Sequence, residues 1–177
     1  MLGTFRSELF KMTTTRATKV LLGFAVILPV VIFTLTLIYG FQDGVMGSPA
    51  VVNIASTAPL VALLLGVVGV MCATQEYSQG TIRITLVATP NRQRVYVAKL
   101  LTTLYISIVS TAILLALCLI ATQIVMTIRD GQFELIGNDA RVLVSFFLMT
   151  TVVSIFGLSL GLIFKSGPGA ISAVLLW

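Results

Sequence analysis

The sequence predicts an all-α protein, a polytopic bundle of transmembrane helices, on three observations. Apolar residues make up 58% of the 177 positions and charged residues only 10%, with a mean hydropathy of +1.09, more apolar than a water-facing surface tolerates. The apolar residues fall in runs as long as the roughly 20 needed to cross a bilayer as helix. The basic residues flank those runs, so the net charge of +5 and the pI near 9.6 read as membrane topology rather than as a nucleic-acid surface. The expected environment is the lipid bilayer, and no nucleic-acid partner is expected.

Four complete spans and the start of a fifth follow in order. The first runs from Val20 to about Phe41, between Lys19 and Asp43, with Pro29 expected to kink it. It exceeds the length of a signal-peptide core. A turn-rich link, Gly44 to Pro49, leads to a second span from about Val51 to Gln75, with Ala58-Pro59 in its early turns. After a charged stretch from Glu76 to Lys99, the third span covers Leu100 to Ile128 and the fourth Val142 to Phe164. The link between them carries Asp130-Gly131 and Gly137-Asn138-Asp139, both turn signals. Beyond Lys165-Ser166-Gly167-Pro168-Gly169, the run Ala170 to Trp177 is too short to cross a core of about 30 Å. The expectation is one transmembrane domain over residues 1–177 that continues past Trp177.

Orientation follows from the basic residues. Arg6, Lys11, Arg16 and Lys19 precede the first span, Arg83, Arg92, Arg94 and Lys99 lie between the second and third, and Lys165 follows the fourth. The opposite side has only Arg129 and Arg141, offset by Asp43, Asp130, Glu134 and Asp139. The positive-inside rule therefore puts the N terminus, the 76–99 segment and Lys165 in the cytoplasm. Cys72 and Cys118 both lie within apolar runs and read as small packing residues, not as a disulfide or metal ligands.

Two segments on that side carry more than charge. In the first, Leu2, Phe5, Leu9 and Met12 recur at helical spacing, with Glu8 and Lys11 expected off that face, as in an amphipathic helix lying in the membrane interface. The second runs Glu76-Tyr77-Ser78-Gln79-Gly80-Thr81-Ile82-Arg83, then Leu86, then Thr89-Pro90-Asn91-Arg92-Gln93-Arg94, then Ala98-Lys99-Leu100. Thr89-Pro90 suits a helix start that continues through Lys99. Ahead of it, Ile82 and Leu86 share one helical face while Tyr77, Ile84 and Ala88 share another, the pattern of a short helix touching two surfaces.

The wording of both segments resembles the bacterial, actinobacterial-like members of the ABC-2 type transporter permease family. Ser7-Glu8-Leu9-Phe10-Lys11 with Thr14-Thr15-Arg16 is similar to the family's opening, an elbow helix before the first span. The Glu-x-x-x-Gly-Thr pattern at Glu76, Gly80 and Thr81, followed by proline, arginines and a lysine, is similar to its cytoplasmic coupling helix, although only Asn91 separates Pro90 from Arg92 where the family often has two residues. The resemblance implies a six-span permease subunit of an ATP-driven exporter. It implies coupling to the ATPase through Glu76, Gly80, Thr81, Arg83, Pro90, Arg92 and Arg94, and an interface helix marked by Phe5, Glu8, Leu9 and Lys11. The implied partners are a separate ABC ATPase subunit, which would hold ATP and Mg²⁺, and a second permease subunit, the same or different. The implied location is the bacterial inner membrane.

The chain's own composition agrees with a non-enzymatic role. It has no histidine, no GxSxG elbow and no GxxxxGK[ST] phosphate loop, so neither intramembrane hydrolysis nor ATP binding in that mode is expected. No cofactor or metal is expected on this chain. The alternative from another class is a non-transporting membrane scaffold or immunity protein of the same ancestry. Gly157 and Gly161 in the fourth span read as a close-packing pair, and Asn53, Gln123 and the hydroxyl residues within spans as interhelical hydrogen-bonding groups.

Overall fold

The long apolar runs form helices because a backbone in hydrocarbon satisfies its N–H and C=O groups only within the helix itself. The computed structural model describes residues 2–40, 50–78, 80, 92–128 and 137–176. Among them are seven helices and no strands: α1 (Leu2–Thr14), α2 (Arg16–Gly40), α3 (Ala50–Ser56), α4 (Ala58–Ser78), α5 (Arg92–Ile128), α6 (Gly137–Phe164) and α7 (Gly167–Leu176). Four of these, α2, α4, α5 and α6, are long and apolar enough to cross a membrane. At about 1.5 Å per residue the 37 residues of α5 extend roughly 55 Å, well past a bilayer core.

Element boundaries follow local chemistry. The expected interface helix ends at Thr14 rather than near Lys19, where the hydroxyls of Thr13, Thr14 and Thr15 donate back to the carbonyls of Leu9, Phe10 and Lys11. Thr15 keeps its backbone bond to Lys11, so the two helices meet at a bend, which back-bonding hydroxyls accompany. Arg16 and Lys19 thus belong to the spanning helix α2, which continues through Pro29. The second expected span is divided at Thr57, whose Oγ1 donates to the Ile54 carbonyl while its own carbonyl accepts from the Val61 amide. Pro59 follows in the first turn of α4, where its missing N–H costs nothing. At the end of α6, Lys165 takes a φ of 53° and Ser166 supplies the carbonyl that starts α7. The link expected at 44–49 lies outside the described residues, as does 129–136 of the link expected from Arg129 to Arg141; Gly137-Asn138-Asp139, expected as a turn in that link, instead forms the first turn of α6.

Helix α4 is the centre of the bundle. Of its most apolar stretch 61% is buried, against 22% for α2 and 28% for α5. Its closest neighbour is α6, and glycine makes that approach possible. A Cβ added at Gly157 would lie 2.1 Å from the Gly66 carbonyl oxygen, and one at Gly69 would lie 2.2 Å from that of Ser154. Gly161 stands against Val70 and Ala73 in the same way, so the GxxxG pair is a packing seam. Cys118 lies in the cluster of Phe33, Leu65, Leu114 and Phe146, and Cys72 in that of Met12, Ala73, Ile106 and Leu158. Ala170 and Val174 of α7 close on Val70, returning the chain to α4. Apolar side chains left outside, such as Phe24 and Ile27 of α2, Ile113 and Ile120 of α5, and Leu148 and Val152 of α6, suit contact with lipid.

Candidate functional site: a buried ring of four charges

At one end of the bundle three helices bring two carboxylates and two ammonium groups together. Glu8 of α1, Lys11 of α1, Glu76 of α4 and Lys99 of α5 alternate in sign around a closed ring. Lys11 Nζ lies 2.7 Å from Glu8 Oε1 and 2.6 Å from Glu76 Oε1; Lys99 Nζ lies 2.9 Å from Glu8 Oε2 and 3.1 Å from Glu76 Oε2. Lys99 also donates to the Cys72 carbonyl at 3.2 Å. Glu8, Glu76 and Lys99 are all buried, whereas the Lys11 side chain keeps 44% of its surface exposed.

Each member is placed by its helix for a reason that local propensity does not supply. Glu76 occupies the last turn of α4, where the helix dipole disfavours an anion, so its position depends on the two ammonium groups facing it. Lys11 occupies the last turn of α1, where the dipole favours a cation. Burial would lower its pKa, but hydrogen bonds to Glu76 and Glu8 outweigh that and hold the ammonium above its ordinary value. Lys99 enters the protein because α5 begins at Arg92, two turns before it. Around the ring, Gln75 Nε2 donates to Thr18 Oγ1 at 2.8 Å, tying α4 to α2. Phe5 meets Tyr105 edge to face with centroids 6.2 Å apart, fixing α1 along α5.

The structure changes part of the sequence reading. Glu8 does not lie off the packed face of α1; it points inward beside Met12, because only there do Lys11 and Lys99 reach it. Phe5 and Leu9 are half-buried, and Phe10 is the residue turned outward. Glu76, expected as the border of a charged stretch, sits inside α4, while Lys99 lies within α5, in the helix expected to run through it. Gly80 follows α4 with a φ of 67° and an exposed position. Arg94 is exposed on the first turn of α5, and Arg92 opens that helix. Thr81, Arg83 and Pro90 lie outside the described residues, as does the short helix expected around them. The ring thus gathers Glu8, Lys11 and Glu76 but neither Gly80 nor Arg94.

Lys99 is the member that the sequence reading did not single out. A signal for it exists: Lys99, Thr103, Ser107 and Thr111 recur every four residues and mark one face of α5. All four are buried, and Thr111 shares a hydrogen bond of 3.2 Å with Thr150 of α6. A polar stripe aimed at the bundle interior starts with the buried lysine.

A family model described as ABC-2 family transporter protein matches residues 4–175, nearly the whole chain. The chain belongs to the ABC-2 transporter family. No curated protein and no solved structure matches it. The family match and the four long apolar helices together fit a multi-pass membrane permease, and a permease of this family is typically a non-catalytic membrane subunit.

Proposed function

We propose that this ABC-2 permease is driven by a separate ATPase subunit docking on the 76–99 segment, and that the charge ring receives the resulting displacement. One observation carries the reading: Glu76 and Lys99, the first and last residues of that segment, are paired at 3.1 Å and both bind α1. A force applied anywhere along the segment therefore arrives at one point shared by α1, α4 and α5. The Glu76, Gly80, Thr81, Arg83, Pro90, Arg92 and Arg94 assignments rest on the family resemblance, with Phe5, Glu8, Leu9 and Lys11 marking the elbow helix. ATP and Mg²⁺ belong to the partner, and this chain needs no cofactor of its own. A second permease subunit completes the pathway, and the complex exports its substrate across the bacterial cell membrane. The excess of basic residues at the ring end of the sequence supports a cytoplasmic N terminus.

The test is copurification and ATPase activity of the permease with its ATPase in lipid. Arg83→Glu and Gly80→Val should lower both, and a substitution at Gln132 should lower neither. Wild-type assembly and substrate-stimulated hydrolysis in both variants would remove the segment from the coupling role. A chain that copurifies with no ATPase would instead act as a membrane scaffold. Orientation is checked separately: in a background without Cys72 and Cys118, a cysteine at Gln132 should react with an impermeant maleimide from outside, and one at Gln93 should not.

A further inference from the structure

Between α2 and α4, on the bundle's outer surface, runs an open groove of about 460 Å³. Ala17, Val20, Phe24, Val67 and Met71 form its walls, and Arg16 stands at one end. Arg16 to Phe24 spans roughly 12 Å of helix, the depth of part of an acyl chain. Val20 and Phe24 are more than half exposed, so these walls are open to whatever surrounds the bundle. In a membrane those surroundings include lipid.

The charge at the groove's end selects among lipids. At the ring end of the chain the sequence offers only two acidic residues, Glu8 and Glu76, and both are committed to Lys11 and Lys99. Arg16 is exposed and makes no ion pair among the described residues. Arg16 lines the apolar trough with its carbon stem, and its exposed guanidinium, at a helix start, stands beyond the lining, which suits an anionic phospholipid with an acyl chain along the groove and the phosphate against Arg16. We infer that the α2–α4 groove is a binding site for an anionic membrane lipid. Because Gln75 of α4 is bonded to Thr18 of α2, a lipid seated beside Arg16 braces the same pair of helices one turn from the charge ring.

The experiment uses the full chain reconstituted in bilayers of phosphatidylglycerol and phosphatidylcholine, then extracted mildly, with retained lipid counted per chain by mass spectrometry. Wild type should retain phosphatidylglycerol in preference. Arg16→Gln should cut that preference about fivefold, the effect of one basic residue near an anionic headgroup, while Arg16→Lys keeps most of it. Ala17→Leu fills the trough and should reduce retained lipid of either headgroup. Lys19→Gln, an equal charge change outside the groove lining, should leave retention unchanged. Arg16, Ala17 and Lys19 are all exposed, so these substitutions spare the core. Undiminished preference in Arg16→Gln, or equal loss in Lys19→Gln, would overturn the site. So would a disulfide between two chains carrying cysteine at Val20, which would assign the groove to a second copy.

Discussion

Replacing Lys99 by methionine keeps the length of the side chain and removes the charge that Glu8 and Glu76 share. Of the two ammonium groups in the ring, the carboxylates then keep only that of Lys11, at 2.7 and 2.6 Å, with Glu8 3% and Glu76 5% exposed. Breaking a buried charge pair on one side costs about 3 to 5 kcal/mol. The loss has a ceiling, because the cluster can take up a proton instead. Protonating one ordinary glutamate at pH 7 costs about 4 kcal/mol, and the same step at pH 5.5 costs less than half of that. The folded variant then binds more protons than the unfolded one, so its stability falls as pH rises. The expected result is a marked loss of heat resistance for Lys99→Met at pH 7.5 that shrinks by about 2 kcal/mol or more at pH 5.5. Thermal unfolding of the purified chain in detergent at both pH values measures it. Adding Glu8→Gln restores charge balance and should recover much of the loss and remove its pH dependence. A deficit that is absent, or equal at both pH values, would refute the electrostatic account of the ring.

Three further outcomes are expected. Gly157→Ala places a methyl 2.1 Å from the Gly66 carbonyl and should cost about 1 to 3 kcal/mol as α4 and α6 part, while Gly23→Ala, which meets nothing within 4 Å, should be neutral or slightly stabilising in the same melting assay. Gly80→Val should suffer from backbone strain alone, about 1 to 2 kcal/mol, since its Cβ would enter open space at φ +67°; Gly80→Asn should be tolerated better in assembly assays. Lys11 gains its partners on folding and its pKa is raised, so its contribution is complete below the ordinary lysine value of 10.5 and is lost only as pH rises through the folded value. Limited proteolysis of α1 should therefore stay flat from pH 6 to 9 and rise only in stronger alkali.

The spans were legible because a bilayer imposes one rule on every stretch of backbone, and apolar runs of spanning length obey it. Their ends were less so. Hydropathy places a boundary at Lys19, but the helix is interrupted at Thr15, within a run of three threonines. Thr57 interrupts an apolar run in the same manner, and no average over a window registers a single capping residue. The site was half legible. Family-like wording pointed to Glu76, Glu8 and Lys11, and helical spacing put Lys11 on the exposed side as found, but placed Glu8 on the wrong side of the helix. The reason is that a helical wheel counts a glutamate as polar and turns it outward, whereas Lys99, 91 positions away in sequence, draws Glu8 inward. Only the fold supplies that partner.

Stability alone gives little reason to keep such a ring. Taking the charges of Glu8, Glu76 and Lys99 from water is costly, and well-packed apolar residues often serve a core as well or better. Glu76 adds to the cost by sitting where its own helix dipole opposes it. What four alternating charges provide, and apolar contacts do not, is a fixed register, because each ammonium must bridge two carboxylates on different helices at once. Sliding α1 by one turn against α5 would separate Lys99 from Glu8 by about 5 Å and leave both charges buried without that partner. The alternatives to the observed arrangement are thus discrete rather than gradual, which is what an element that transmits a displacement requires. If an ATPase docks on the 76–99 segment as proposed, the ring, which holds Glu76 and Lys99 at the two ends of that segment, is where its displacement would reach α1, α4 and α5.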